Sequence, residues 1–196
     1  MSFKTIEAVV ESWSNEDDTP WPYIAISGYM SLNQALNNEK VGAIVQLACS
    51  YNSLEFRSNT EDTLRSFLDL DGFVLPGGLR FSESGQVKVL PGCCCGLENW
   101  RDWLLVSPEH CAIWTGHDPS PWVEYVEGQV KIWPDSDSAP STAIAFSYEE
   151  LTQLLKQVES DLQGFLVRLG QWAEHIAPSL KGEIVSYFAQ HLHIPV

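Results

Sequence analysis

The sequence predicts an α+β fold: a mostly antiparallel sheet from the middle of the chain, flanked by N-terminal helices and by a long C-terminal helix plus a final short helix. Two observations carry this prediction. Alternating apolar segments joined by short glycine-containing turns fill residues 72–146, and apolar residues at helical spacing follow over residues 147–192. Strands and helices are grouped rather than alternating, which favours α+β over a doubly wound sheet. We expect a single domain over residues 1–196, with residues 1–70 as a candidate helical lobe.

The N-terminal part is predicted from apolar spacing and capping residues. Residues 3–13 carry a short amphipathic pattern, and residues 23–26 suit a short strand. Apolar residues recur over 32–48 at spacings that predict one or two helices. Asn59 or Thr60 can cap a further helix over residues 61–70, because both side chains accept hydrogen bonds from free backbone N–H groups.

The β-rich region is predicted from two hairpin patterns. Short apolar runs at 73–75, 79–81 and 86–90 include a pair joined by Ser82-Glu83-Ser84-Gly85, a typical hairpin loop. A second hairpin pairs residues 122–126 with 129–133 across Glu127-Gly128, and residues 143–146 suit a last strand.

The C-terminal helices have the clearest boundaries. Ser147 and Glu150 have the spacing of a capping box, and apolar residues at helical spacing follow. This pattern predicts a helix that ends near Ile176, before Pro178. A final helix is predicted over residues 180–192.

The charge excludes several function classes. Eleven Lys and Arg residues against 26 Asp and Glu residues give a formal net charge of −15. Such a chain repels nucleic acid and anionic membrane surfaces, and it suits a basic protein partner.

The sequence has no signal-peptide pattern and no apolar stretch of about 20 residues for a membrane span. Five cysteines, three of them adjacent, do not form a disulfide framework, so we expect free thiols in the cytoplasm.

The segment Gly92-Cys93-Cys94-Cys95-Gly96 is the first candidate for chemistry. It fits G-x-C-x-G, a cysteine version of the strand–turn–helix motif that presents a nucleophile. A thiol before a helix N-terminus is expected to have a lowered pKa. If the chain is an enzyme, Cys94 is the nucleophile, His117 the base (His110 and His175 being alternatives) and Asp118 the residue that orients it.

Two other interpretations of the cysteines remain open. Zinc would be bound by Cys93, Cys95, Cys111 and His117, although only one residue separates Cys93 from Cys95, and structural zinc sites usually have pairs of cysteines with two to four residues between them. Alternatively, three small apolar side chains fill a crowded turn. No cofactor motif is present, so we expect no cofactor.

Tryptophan is the second candidate feature. The chain has eight, and five lie between residues 100 and 133. Tryptophans are enriched where proteins bind their partners, but they also build cores. On the binding interpretation, the contact residues are Trp100, Trp103, Trp114, His117, Asp118 and Trp122.

Part of the chain resembles the SUKH superfamily, bacterial toxin-immunity proteins and their relatives. The resemblance covers residues 111–155. It consists of a strand ending at Trp114, the His117-Asp118 loop, strand 122–126, the return strand from Gly128-Gln129-Val130, and Ala145-Phe146-Ser147-Tyr148 leading into a helix. Cys93-Cys94-Cys95 is not part of the family pattern. The resemblance implies a helix closing an antiparallel sheet and a non-enzymatic role, with neutralisation of a toxin such as a basic nuclease as the hypothesis.

These observations rank three functions. The leading prediction is a non-enzymatic protein-binding module with an acidic, tryptophan-rich surface and immunity-like character. A thiol-dependent enzyme with its nucleophile in Cys93-Cys94-Cys95 and a small zinc-stabilised domain are the alternatives.

Overall fold

The α+β prediction is confirmed by the computed structural model, which describes residues 3–13, 18–109, 111–137 and 142–196. Within these ranges the chain forms strands and helices in an order that ends with a long helix and a short one. The strands are β1 (Lys4–Trp13), β2 (Ser27–Ser31), β3 (Gly77–Glu83), β4 (Gln86–Val89), β5 (Trp122–Val126), β6 (Gln129–Trp133) and β7 (Ile144–Ser147). The α-helices are α1 (Asn38–Tyr51), α2 (Thr60–Leu68), α3 (Tyr148–Ile176) and α4 (Lys181–His191), and a 3₁₀ helix covers Leu97–Leu105.

The strands form two antiparallel sheets. The first has the order β2-β1-β3-β4 and the second the order β5-β6-β7. Both predicted hairpins are confirmed: β3 turns into β4 at Ser84-Gly85, and β5 turns into β6 at Glu127-Gly128. Gly85 and Gly128 have φ angles of 77° and 72°, a backbone region that glycine enters without steric cost.

The sheet begins at the N-terminus rather than in the middle of the chain, which corrects the prediction. Residues 4–13 form β1, so the N-terminal helices start only at Asn38. β1 lies between β2 and β3, and Ala8, Val9 and Val10 are all buried. Burial on both faces removes the alternation by which a strand is recognised. The short strands predicted at 23–26 and 73–75 do not form; β2 starts at Ser27 instead.

The capping predictions hold for the helices. The Asn59 side chain accepts hydrogen bonds from the N–H groups of Glu61 and Asp62 at the start of α2. Ser147 accepts from Glu150 N at 3.1 Å, and α3 runs to Ile176 as predicted. The carboxylate of Glu150, the other member of the predicted capping box, pairs with Lys4 Nζ at 2.8 Å.

One hydrophobic core joins both sheets and the helices. α3 packs against β1 and α1, and the rings of Phe81 (β3) and Phe146 (β7) lie 6.1 Å apart between the sheets. The chain between β4 and β5 therefore connects the two sheets, and it carries the three adjacent cysteines. None of the helices in the described ranges combines the length and apolar character that a bilayer span requires.

Candidate functional site

The candidate site is formed by two loops between β4 and β5. We call residues 91–96 the cysteine turn and residues 115–121 the His117 loop. Their backbones pair as a single antiparallel bridge: Cys93 N donates to His117 O at 2.6 Å, and His117 N donates to Cys93 O at 3.2 Å. This pairing places two residues that are 24 positions apart in the sequence side by side.

Two glycines allow this close approach. A Cβ on Gly92 would lie 2.4 Å from Pro119 O and 2.7 Å from His117 N, and a Cβ on Gly116 would lie 2.6 Å from Cys93 O. These neighbours are backbone atoms, which cannot rotate away as a flexible side chain can. Residues 92 and 116 must therefore be glycine for the loops to meet in this way.

The reactive side chains gather where the loops meet. Cys93 Sγ lies 3.0 Å from His117 Nδ1 and 3.8 Å from Cys94 Sγ. Asp118 Oδ2 lies 3.4 Å from the same His117 Nδ1. Cys94 has a φ of 59°, and this sharp turn allows two adjacent side chains to lie on the same side of the chain. The strand–turn–helix segment expected from the G-x-C-x-G pattern is thus present between β4 and the 3₁₀ helix, with its sharp turn at Cys94.

The electrostatics of Cys93 differ from those expected for a nucleophile. Desolvation, the hydrogen bond with Cys94 and the negative charges of Asp118 and Glu11 raise the pKa of the Cys93 thiol above its ordinary value. Desolvation also raises the pKa of Cys95. The sequence pattern predicted a lowered thiol pKa, so that prediction is wrong for these two residues. A higher pKa leaves less thiolate at neutral pH.

The predicted Cys94–His117–Asp118 relay is not formed. The thiol in contact with the imidazole belongs to Cys93, not Cys94. In a relay the base uses one ring nitrogen for the nucleophile and the other for the carboxylate. Here both Cys93 and Asp118 lie against Nδ1. Of the alternative bases, His175 Nδ1 contacts Gln171 O on α3, and His110 lies outside the described residues.

The ligand set predicted for zinc is only half assembled. Cys93, Cys94 and His117 have donor atoms that all lie within 4.8 Å of one another. Cys95 is outside this group, and its Sγ donates to Trp114 O at 3.6 Å. Cys111 is also outside it and is exposed. Cys94 therefore takes the place that the prediction gave to Cys95 and Cys111. The sequence did not indicate this, because the side chains of adjacent residues in an extended chain point in opposite directions.

The predicted binding tryptophans divide into two pairs. Trp100 and Trp103 are buried: Trp100 Nε1 donates to Leu192 O at 2.8 Å, and the Trp103 ring lies 4.7 Å from that of Phe81. Both belong to the core, so the prediction that they contact a partner is wrong. The 3₁₀ helix that carries them packs against β3, which turns both rings inward.

Trp114 and Trp122 remain on the surface, with 59% and 40% of their area exposed. They stand at the two ends of the His117 loop, which Thr115 closes by donating its hydroxyl to Pro121 O. The Trp114 ring lies 6.4 Å from that of His117, and the Trp122 ring stacks on Trp133 at 5.5 Å. We call Trp114, His117, Asp118 and Trp122 the aromatic rim.

A cleft beside the cysteine turn adds residues that sequence reasoning missed. It has a volume of about 300 Å³, and Glu11, Tyr51 and Glu98 line it together with Cys93 and Cys94. The Glu98 carboxylate accepts from Leu75 N at 3.3 Å, and desolvation raises its pKa. Glu11 reaches this cleft only because β1 pairs with β3, so no spacing in the sequence could have indicated it.

Comparisons of the chain with protein-family models, with curated proteins and with solved structures gave no match.

Proposed function

We propose that this chain is a non-enzymatic protein-binding module, immunity-like in character, which binds a basic protein through the aromatic rim. The observation that carries the proposal is the exposure of Trp114, at 59% of its surface, at one end of the His117 loop, where Asp118, Asp135 and Asp137 also lie. A large aromatic ring left in water costs free energy, which a partner recovers by covering it. Four other tryptophans are buried in the core, namely Trp21, Trp100, Trp103 and Trp172.

The charge around the rim favours a basic partner. Asp118 is 88% exposed beside His117. Two further carboxylates are held against the same loop: Asp135 Oδ1 accepts from Ser120 N at 3.1 Å, and Asp137 Oδ2 accepts from Ser120 Oγ at 2.8 Å. Together with the net charge of −15, these groups attract a positively charged protein surface and speed its encounter. A basic toxin is the partner that the SUKH resemblance suggests.

The partner can be sought with the tagged chain as bait in extract from the cells that carry the gene. We expect one basic protein to be enriched at low salt and released as salt is raised, because exposed charges are screened. Trp114→Ala should reduce its capture at least tenfold, since truncation of a central aromatic anchor costs about 2 kcal/mol or more. The captured protein is then purified, and its affinity for each variant is measured directly.

Val167→Ala is the matched control for this experiment. Val167 is 61% exposed on α3, away from the His117 loop in sequence, and its replacement should leave capture unchanged. The proposal fails if no basic protein depends on Trp114. It fails equally if Val167→Ala reduces the affinity as much as Trp114→Ala, which would move the contact surface to α3.

A further inference from the structure

We infer that Cys93, Cys94 and His117 form a binding site for one Zn²⁺ ion, with water as the fourth ligand. Two thiols and an imidazole are the donor types that Zn²⁺ prefers, and three protein ligands leave one position open. Among the residues that the structure describes, this is the one group in which three such side chains have their donor atoms within 4.8 Å of one another. The inference goes beyond the proposed function and does not depend on a protein partner.

The spacing of the donor atoms matches a tetrahedral ion. With Zn–S bonds of about 2.3 Å, two thiolates on a tetrahedron are about 3.8 Å apart. Cys93 Sγ and Cys94 Sγ lie 3.8 Å apart. A thiolate and an imidazole nitrogen on the same ion are about 3.5 Å apart, whereas Cys93 Sγ lies 3.0 Å from His117 Nδ1 and 3.9 Å from Nε2. A shift of about 0.5 Å in the half-exposed ring brings the Cys93–His117 pair to this spacing. The Cys94 thiol and the imidazole have donor atoms within 4.8 Å of each other, so this pair closes by up to about 1.3 Å when the ion binds.

The backbone holds the ligands in place before any ion arrives. The bridge between Cys93 and His117 fixes two ligands on paired backbones. The turn at Cys94 brings the third ligand to the same side, at a φ that costs a non-glycine residue about 1–2 kcal/mol. Backbone strain of this kind is found mostly at functional sites, where it holds a side chain in position. The strained residue Cys94 lies in the cysteine turn, and its side chain is one of the three ligands.

The charges suit a divalent cation. Each thiol binds as a thiolate, so two protons leave when the ion enters, and the two thiolate charges neutralise the ion. Asp118 beside His117 and Glu11 in the adjoining cleft add negative charge around the site. The cleft of about 300 Å³ also leaves room for the water at the open position. The bound ion would join the cysteine turn to the His117 loop, and so would rigidify the aromatic rim.

Metal titration of the full, reduced, metal-free chain tests this inference. One Co²⁺ ion should bind per chain, and Zn²⁺ should displace it. The bound Co²⁺ should show the visible absorption of a tetrahedral site and the charge-transfer absorption of cobalt–thiolate bonds. Cys93→Ser, Cys94→Ser and His117→Ala should each weaken Zn²⁺ binding by about 100-fold or more, because loss of a ligand costs more than loss of a residue that only orients a ligand, which costs about 10–100-fold. Cys95→Ser and Cys111→Ser are matched controls, because both lie outside the donor group and should bind as the wild type does.

The variants are first compared by circular dichroism without metal, where exposed residues such as Cys94 should leave the fold intact. Zn²⁺ should also raise the Tm of the wild type and leave that of Cys94→Ser unchanged. Binding of much less than one ion per chain overturns the inference. So does a loss of binding in Cys95→Ser or Cys111→Ser equal to that in Cys93→Ser, since the ion would then have other ligands.

Discussion

Replacing Trp100 by alanine will lower the free energy of unfolding by about 3–5 kcal/mol, the usual cost of removing a buried tryptophan. Trp100 is 1% exposed, and its indole N–H donates to Leu192 O at 2.8 Å. The substitution therefore leaves a cavity and also an unpaired buried carbonyl beyond the end of α4. Urea denaturation followed by far-UV circular dichroism measures the change. The free energy of unfolding of Trp100→Phe should lie between those of the wild type and Trp100→Ala, because phenylalanine restores most of the ring but not the hydrogen bond.

Trp114→Ala is the matched control for Trp100→Ala. Trp114 is mostly exposed, so its removal should change the free energy of unfolding by no more than about 0.5 kcal/mol. Equal losses for the two variants would contradict the division of the tryptophans into core and surface. A stable Trp100→Ala that loses the partner would return Trp100 to the binding surface.

Replacing Gly92 by alanine will both destabilise the protein and dismantle the candidate site. The added methyl group would lie 2.4 Å from Pro119 O and 2.7 Å from His117 N, so the two loops must separate. Overpacking of this kind costs about 1–3 kcal/mol. Because the loops carry Cys93 and His117, the contact between their side chains should be lost as well. Urea denaturation gives the stability, and the NMR shifts of the His117 ring report the contact.

Gly182→Ala provides the control for an added methyl group. Gly182 lies in α4, and a Cβ there meets no atom within 4 Å. Alanine in a helix is favoured over glycine by up to about 1 kcal/mol, so this variant should be as stable as the wild type or slightly more so. A Gly92→Ala protein with normal stability and unchanged His117 shifts would show that the loops do not meet as described.

The parts of the fold that were predictable are those governed by local interactions. Ser84-Gly85 and Glu127-Gly128 specify hairpins through backbone conformations that few residues adopt, and Asn59 and Ser147 cap helices through their own side chains. Each of these signals lies within a few residues of the element that it starts or ends. The fold class followed from the apolar spacing of the segments that these signals separate.

The parts that were not predictable depend on distant pairing. β1 is a strand because β2 and β3 flank it, and burial on both faces hides its period. The inward orientation of Trp100 is set by packing on β3 rather than by its neighbours in sequence. Cys94 lies beside Cys93 at a turn with a φ of 59°, whereas Cys95 Sγ donates to Trp114 O, and neither contact follows from the order of the three cysteines. The strand expected to end at Trp114 from the SUKH resemblance does not form, as residues 111–114 have no strand structure.

The most direct test of the site is the alkylation rate of each cysteine in the native, reduced protein, measured by mass spectrometry with and without one equivalent of Zn²⁺. We predict that Zn²⁺ protects Cys93 and Cys94, that it leaves Cys95 and Cys111 unchanged, and that buried Cys49 is slow in both conditions. If Zn²⁺ protected neither Cys93 nor Cys94, or protected Cys95 and Cys111 instead, the result would contradict the proposed site. Without Zn²⁺, a thiol in the cysteine turn that reacts far faster than a free peptide cysteine would contradict the non-enzymatic function and favour a nucleophile.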